Sequence, residues 1–142
     1  GGATSVLALS GEPRIKGLIL DSAFADANEL VSQEIMHRIG SPIWVANLFM
    51  PMFRFYAKLV YGVDLSDMVP LEKVRNIKIP ILLIHGLADK RVPYHDSVRI
   101  HKYSHKDSQL WLVPKASHTR SFAEDKQLYL NRVTKYFYKR LD

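Results

Sequence analysis

Two residue types that can exchange a proton stand in two loops of similar setting. The loop His85-Gly86-Leu87-Ala88-Asp89-Lys90-Arg91-Val92-Pro93 follows the apolar run Ile79–Ile84, and the loop Pro114-Lys115-Ala116-Ser117-His118-Thr119-Arg120-Ser121 follows the shorter run Leu110–Val113. A serine hydroxyl is too weakly acidic to attack a carbonyl unaided. A histidine must take its proton and later hand it to the leaving group, and a buried carboxylate must hold the imidazole in one tautomer and stabilise its cation. Asp89 and His118 are the residues of this chain suited to those two parts.

The other candidates fit less well. Ser5 falls inside an expected helix, Ser22 leaves a strand without the glycines of a tight elbow, and Ser117 adjoins His118 in sequence, where the geometry for attack is poor. His85 precedes the loop glycine and reads as a packed, hydrogen-bonded residue. His85, Asp89 and His118 have the composition of a two-histidine, one-carboxylate metal site, but nothing else in the sequence supports a metal. His101 and His105 are spaced for one helical face, yet Lys102 stands where a helical zinc protease motif needs Glu. A solvated helix face is the expectation there.

Both loops gain meaning from the elements that carry them. Ala3–Ser10 reads as a small-residue helix closed by Gly11 and blocked by Pro13. Ile15–Leu20 reads as a strand buried on both faces, ended by Asp21 and Ser22. Asp26 is placed to cap a helix running to about Arg38, which Gly40, Ser41 and Pro42 break. The apolar stretch Ile43–Val63 reads as two short helices meeting at Pro51. Pro70 suits the first turn of a short helix ending near Asn76. Ile79–Ile84 is a second strand, His95–Lys106 a helix, and Leu110–Val113 a third strand. In the last helix, from about Phe122 to Leu141, the residues Leu130, Val133, Phe137 and Leu141 are spaced for a buried stripe. Helices alternating with strands in this order predict an α/β fold with a parallel sheet. Loops leaving the carboxyl ends of such strands are where functional groups gather. The acid and histidine loops follow consecutive strands, so they should be neighbours in space.

Composition sets outer limits. The chain has 142 residues, 47% of them hydrophobic, and a formal charge of +6. That is enough apolar material for a core. The basic residues are scattered singly or in pairs with Asp and Glu between them, which argues against nucleic-acid binding. There is no cysteine, so disulfides and thiol nucleophiles are excluded. The absence of cysteine fits a reducing compartment, and a cytoplasmic location is the expectation. Asn47, Pro51, Arg54 and Lys58 interrupt the apolar stretch and make a membrane span costly. A membrane-surface role for the stretch stays open, but its basic residues are too few to favour it.

His85-Gly86-x-x-Asp89-x-x-Val92-Pro93 after an apolar strand resembles the acid loop of α/β-hydrolases. Ser117-His118 before the final helix resembles their histidine loop, and acid before histidine is their chain order. Gly1-Gly2-Ala3-Thr4 looks like the end of a Gly-x-Ser-x-Gly-Gly nucleophile elbow entering its helix, and Asp21-Ser22-Ala23-Phe24 is also similar to that fold. Serine aminopeptidase-like and lysophospholipase-like hydrolases with a short helical cap are the groups most similar.

The resemblance covers the whole chain and implies a partial domain, residues 1–142. This would be the C-terminal portion of an α/β-hydrolase parallel sheet flanked by helices, with a cap-like helical insertion at about 40–63. It implies Asp89 and His118 as catalytic residues, with the nucleophilic serine and the remaining strands lying before Gly1. It further implies cleavage of small-molecule esters, thioesters or amides, no cofactor, and negligible activity from this chain alone. Trp44, Phe49, Met52 and Phe53, joined by Phe24, would then line an apolar substrate pocket. A truncated hydrolase fold kept for protein binding is the alternative, and a dehalogenase-like enzyme with an aspartate nucleophile is a weaker one. Oligomeric state and substrate identity are not legible.

Overall fold

The computed structural model describes residues 2–9 and 14–141. The chain divides into two compact units, Gly1–Ala25 with Pro70–Asp142, and Asp26–Val69.

The first unit is built on a three-stranded parallel sheet in the order β1 (Leu18–Asp21), β2 (Ile81–Gly86), β3 (Gln109–Val113). Its helices are α1 (Gly2–Ala8), α4 (Pro70–Lys73, continued by a 3-10 turn at Val74–Asn76), α5 (Tyr94–Tyr103), α6 (Ser121–Glu124) and α7 (Lys126–Leu141). Every residue of β2 is buried, as a central parallel strand requires. Successive side chains alternate between the two faces. Leu18, Leu20, Ile81, Leu83 and Leu110 pack with Val6 of α1, Leu71 of α4 and Ile100 of α5. Ile19, Leu82, Ile84, Trp111 and Val113 pack with Tyr129, Val133, Tyr136 and Phe137 of α7. The sheet is thus covered on both sides, each fully buried aliphatic side chain contributing about 1.5–3 kcal/mol.

Several boundaries differ from the sequence reading for identifiable reasons. β1 begins at Leu18 rather than Ile15, because Leu18 reaches the carbonyl of Pro80 and proline has no N–H to extend the ladder further back. Asp21 still pairs with Ile84, so the strand includes it. The final helix is divided at Asp125, whose side chain accepts from the Leu128 amide as an N-cap does. Of the expected stripe, Val133 and Phe137 pack against the sheet, but Leu130 and Leu141 do not. Leu130 and Leu141 are exposed, and Tyr136 is the buried residue. Tyr136 wins the sheet-facing position because its hydroxyl donates to the Pro80 carbonyl (2.6 Å) and accepts from the Leu18 amide (3.2 Å). Leucine cannot satisfy those two groups. The α1 helix ends at Ala8, and the expected stops at Gly11 and Pro13 lie outside the described residues.

The second unit holds α2 (Ala27–Ile39), α3 (Ile43–Tyr61) and a 3-10 turn at Leu65–Asp67. Asp26 caps α2 by accepting from the amides of Asn28 and Glu29, and Gly40 ends it in the left-handed region, both as expected. The break at Pro51 is not observed: α3 is one continuous helix with Pro51 inside it. Ala46, Met50 and Ala57 are its buried residues, and they share one face spanning both sides of the proline. Breaking the helix would forfeit that face, whereas keeping it costs about 3 kcal/mol at one exposed position. No helix among the described residues is long and apolar enough to cross a membrane.

Candidate active site

The two loops named from sequence meet beyond the carboxyl ends of β2 and β3. A parallel register that pairs Gly86 with Val113 brings both chains out of the sheet side by side. The Ala88 amide then donates to the Ala116 carbonyl, and the Leu87 amide to that of Val113. Gly86 makes this approach feasible. A Cβ there would sit 2.1 Å from the Ala116 carbonyl oxygen, a contact only glycine avoids. The motif contained Gly86, but its role depends on a neighbour thirty positions away.

Both carboxylate oxygens of Asp89 are held. Its Oδ1 accepts from the backbone amides of Arg91 (2.9 Å) and Val92 (3.0 Å), an Asx-type turn. Its Oδ2 accepts from His118 Nδ1 at 2.8 Å and lies 3.3 Å from His85 Nε2. The Asp89 side chain is fully buried. Burial alone would raise its pKa, but the Val92 amide, His118 and the Arg91 amide outweigh it and hold the carboxyl below its ordinary value. Asp89 therefore stays an anion throughout the neutral range.

The position of His118 follows from that anion. Its Nδ1–H points at Asp89, so Nε2 carries the free lone pair, and its side chain remains 27% exposed. An imidazole fixed in this tautomer can accept a proton at Nε2 from an external hydroxyl. Among the described residues no hydroxyl is hydrogen-bonded to that nitrogen. Ser22 is engaged with Asp21 and Thr119, Ser117 is exposed beside the histidine, and Ser5 lies within α1.

His85 is a packed residue, as its sequence context suggested. Its Nδ1 is 2.7 Å from Ser97 Oγ and its Nε2 is 3.0 Å from the Val92 carbonyl. Since a carbonyl only accepts, Nε2 bears the proton and Nδ1 accepts from Ser97. His85 thereby ties the acid loop back to α5. Direct hydrogen bonds join Asp89 to its neighbours, and among the described residues no group of three or more His, Asp or Glu is arranged to hold a metal ion. His101 and His105 serve the turn after α5: His101 Nε2 bonds the Ser108 carbonyl, and His105 Nδ1 accepts from the Asp107 amide.

Sequence reasoning missed Asp21 as part of this neighbourhood. Its carboxylate accepts from Ser22 Oγ and from the hydroxyl of Tyr129 on α7. Burial raises its pKa against the opposing pull of those two bonds and of His85 and His118.

The residues proposed for a pocket are distributed over the two units. Phe24 follows β1 and is partly buried. Trp44, Phe49, Met52 and Phe53 lie on α3 and are exposed by 66, 52, 66 and 38%.

The signature of the prolyl oligopeptidase family matches residues 48–142, which include both loops. The chain belongs to the prolyl oligopeptidase family. This places it among the α/β-hydrolases that its motifs resemble. No curated protein matches the sequence. Among solved structures, this prolyl oligopeptidase-family chain is similar to an esterase of Pyrococcus furiosus, with a TM-score of 0.71, 18% identity, and coverage of 100% of this chain and 51% of the other. It is also similar to the acylaminoacyl peptidase of Pyrococcus horikoshii (TM-score 0.64, 21% identity, 99% and 22% covered). A third likeness is to a meta-cleavage product hydrolase of Pseudomonas fluorescens (TM-score 0.60, 17% identity, 98% and 62% covered). At these identities the likeness establishes the α/β-hydrolase fold. The chain spans about half the length of the Pyrococcus esterase.

Proposed function

We propose that this chain supplies the acid and the base of a Ser-His-Asp hydrolase, with Asp89 orienting and His118 moving the proton, and with the nucleophilic serine preceding Gly1. The observation that carries this reading is the 2.8 Å bond from His118 Nδ1 to a fully buried Asp89 carboxylate, which leaves Nε2 available. In the reaction, Nε2 takes the serine proton as its oxygen attacks the carbonyl carbon. The imidazolium is stabilised by Asp89, which does not itself become protonated. The proton then passes to the leaving alcohol or amine, and water repeats the sequence to release the acid.

Two further observations support the reading. Gly2 opens α1 where a Cβ would stand 3.2 Å from that of Ala23 beyond β1, the close helix–strand approach that an elbow's closing glycine permits. The hydrolases of similar fold include an esterase and an acylaminoacyl peptidase, so ester and small amide substrates are the proposed class. Without the serine and its oxyanion-hole amides, the chain itself should hydrolyse negligibly.

The test is labelling of the full-length protein with a fluorophosphonate probe, set beside its His118→Ala variant. Strong labelling that His118→Ala abolishes is expected. Absence of a reactive serine in the longer protein would refute the proposal and leave a non-catalytic binding module.

A further inference from the structure

Among the described residues only two other than glycine have positive φ: Ser22 at 54° and Thr119 at 55°. For a β-branched residue such as Thr this conformation is strained, and serine gains little there either. The two residues lie at opposite ends of the chain, yet they are bonded to each other. The Thr119 amide donates to Ser22 Oγ at 3.1 Å. Strain that persists at two paired positions must be held by its surroundings, and strained residues of this kind gather where a site needs an exact geometry.

The surroundings can be named. The Ser22 amide donates to the Ile84 carbonyl at 2.9 Å, which fixes it against β2. Its hydroxyl donates to Asp21 Oδ1 at 3.1 Å while accepting from Thr119. The other oxygen of Asp21 accepts from Tyr129 on α7. Thr119 also returns its own hydroxyl to the His118 carbonyl at 2.7 Å. The backbone leaving His118 is therefore anchored through Ser22 to the ends of β1 and β2. Ser22 itself is buried, so its hydroxyl has no solvent to exchange for these partners.

We propose that Ser22 is a positioning residue for His118: by holding the Thr119 amide it fixes the main chain after the histidine, so that the imidazole keeps Nδ1 on Asp89 and presents Nε2 outward. This rests on the catalytic reading of His118 for its purpose, but the geometry stands without a nucleophile. Serine suits the position because its side chain is short enough to donate to the preceding carboxylate and accept from the loop at once. Alanine would leave the Thr119 amide and one Asp21 oxygen without partners, and glycine would do so without adding strain.

The experiment is nitrogen-15 NMR of the histidine rings in the full-length protein, with Ser22→Gly and Thr119→Gly. Ser22→Gly keeps the backbone freedom and removes the hydroxyl. Thr119→Gly relieves the strain but retains the donating amide. His118 should be the Nδ1–H tautomer in the wild type and in Thr119→Gly. In Ser22→Gly it should lose the downfield Nδ1 proton signal and show a mixture of tautomers. An unchanged His118 in a folded Ser22→Gly protein would overturn the proposal. Amide hydrogen exchange of the wild type gives a second reading that needs no variant. The Thr119 amide should be protected, and exchange at the rate of an open loop would overturn the proposal equally. Neither readout involves turnover, so an inactive full-length enzyme would count against the catalytic reading alone.

Discussion

The Cα of Gly86 packs directly on the carbonyl of Ala116, so closely that a Cβ would fall 2.1 Å from the oxygen. With the bonds from the Leu87 and Ala88 amides, this contact sets how closely the acid loop and the histidine loop approach. Both chains run straight from paired positions in β2 and β3, and neither can yield without disturbing the sheet. Gly86→Ala should therefore push the Ala116 segment away and destabilise the protein by about 1–3 kcal/mol, the usual cost of overpacking. It should also lengthen the Asp89–His118 bond. Urea unfolding would give the first effect, and the downfield Nδ1 proton of His118 would report the second.

Asp89→Asn should uncouple stability from pH in a defined window. A carboxyl whose folded-state pKa is depressed stabilises the fold above its unfolded value, about 3.9, and that stability is lost as pH falls through the lower folded value. Asp89 is depressed because its bonds to the Val92 amide, His118 and the Arg91 amide outweigh its burial. At neutral pH the variant should be less stable than wild type by about 1.5–3 kcal/mol, the range for hydrogen bonds to charged groups. The gap should close as pH drops below about 4. Denaturation midpoints at a series of pH values would decide it, and a constant gap would contradict the assignment. In the full-length enzyme the same substitution should lower kcat by several orders of magnitude, because the imidazole loses its fixed tautomer.

Tyr136 offers a test of the fold that leaves the site untouched. Its hydroxyl joins the carbonyl of Pro80 to the amide of Leu18, two groups that share a longer bond of 3.4 Å with each other. Tyr136→Phe removes both hydroxyl bonds and leaves the two groups only their longer 3.4 Å bond to each other, in a partly buried setting. The expected loss is about 0.5–1.5 kcal/mol, seen as a lower melting temperature, with the His118 ring signals unchanged.

These relationships differ in how far the sequence displays them. The strands and the acid–histidine pair are legible because their causes are local. An apolar run flanked by turn residues has few alternatives, and parallel strands must deliver consecutive loops to one edge. The stripe on α7 is only half legible because two overlapping periodicities fit the same helix, and the bonds its hydroxyl makes to Pro80 and Leu18 select Tyr136 over Leu130. Pro51 is ambiguous for a related reason: local propensity favours a break, while the face shared by Ala46, Met50 and Ala57 favours continuity. The Ser22–Thr119 bond has no sequence signature at all. Neither residue type advertises a positive φ, and their pairing exists only once the sheet has formed.

The exposed side chains of α3 lead to the remaining prediction. Phe49 and Met52 leave half or more of their surface uncovered, so truncating them removes little packing and should change stability by no more than about 0.5 kcal/mol. Large apolar side chains left uncovered in number mark a surface with a use. If that use is contact with the acyl or leaving group of a substrate, Phe49→Ala and Met52→Ala in the full-length enzyme should raise KM for long-chain p-nitrophenyl esters several-fold. KM for the acetate ester should change little, and kcat for it should be retained. Each methylene that loses its apolar contact weakens binding by up to about 0.8 kcal/mol, so the effect should grow with chain length. An identical shift for all chain lengths would remove α3 from substrate recognition while leaving the roles of Asp89 and His118 as they stand.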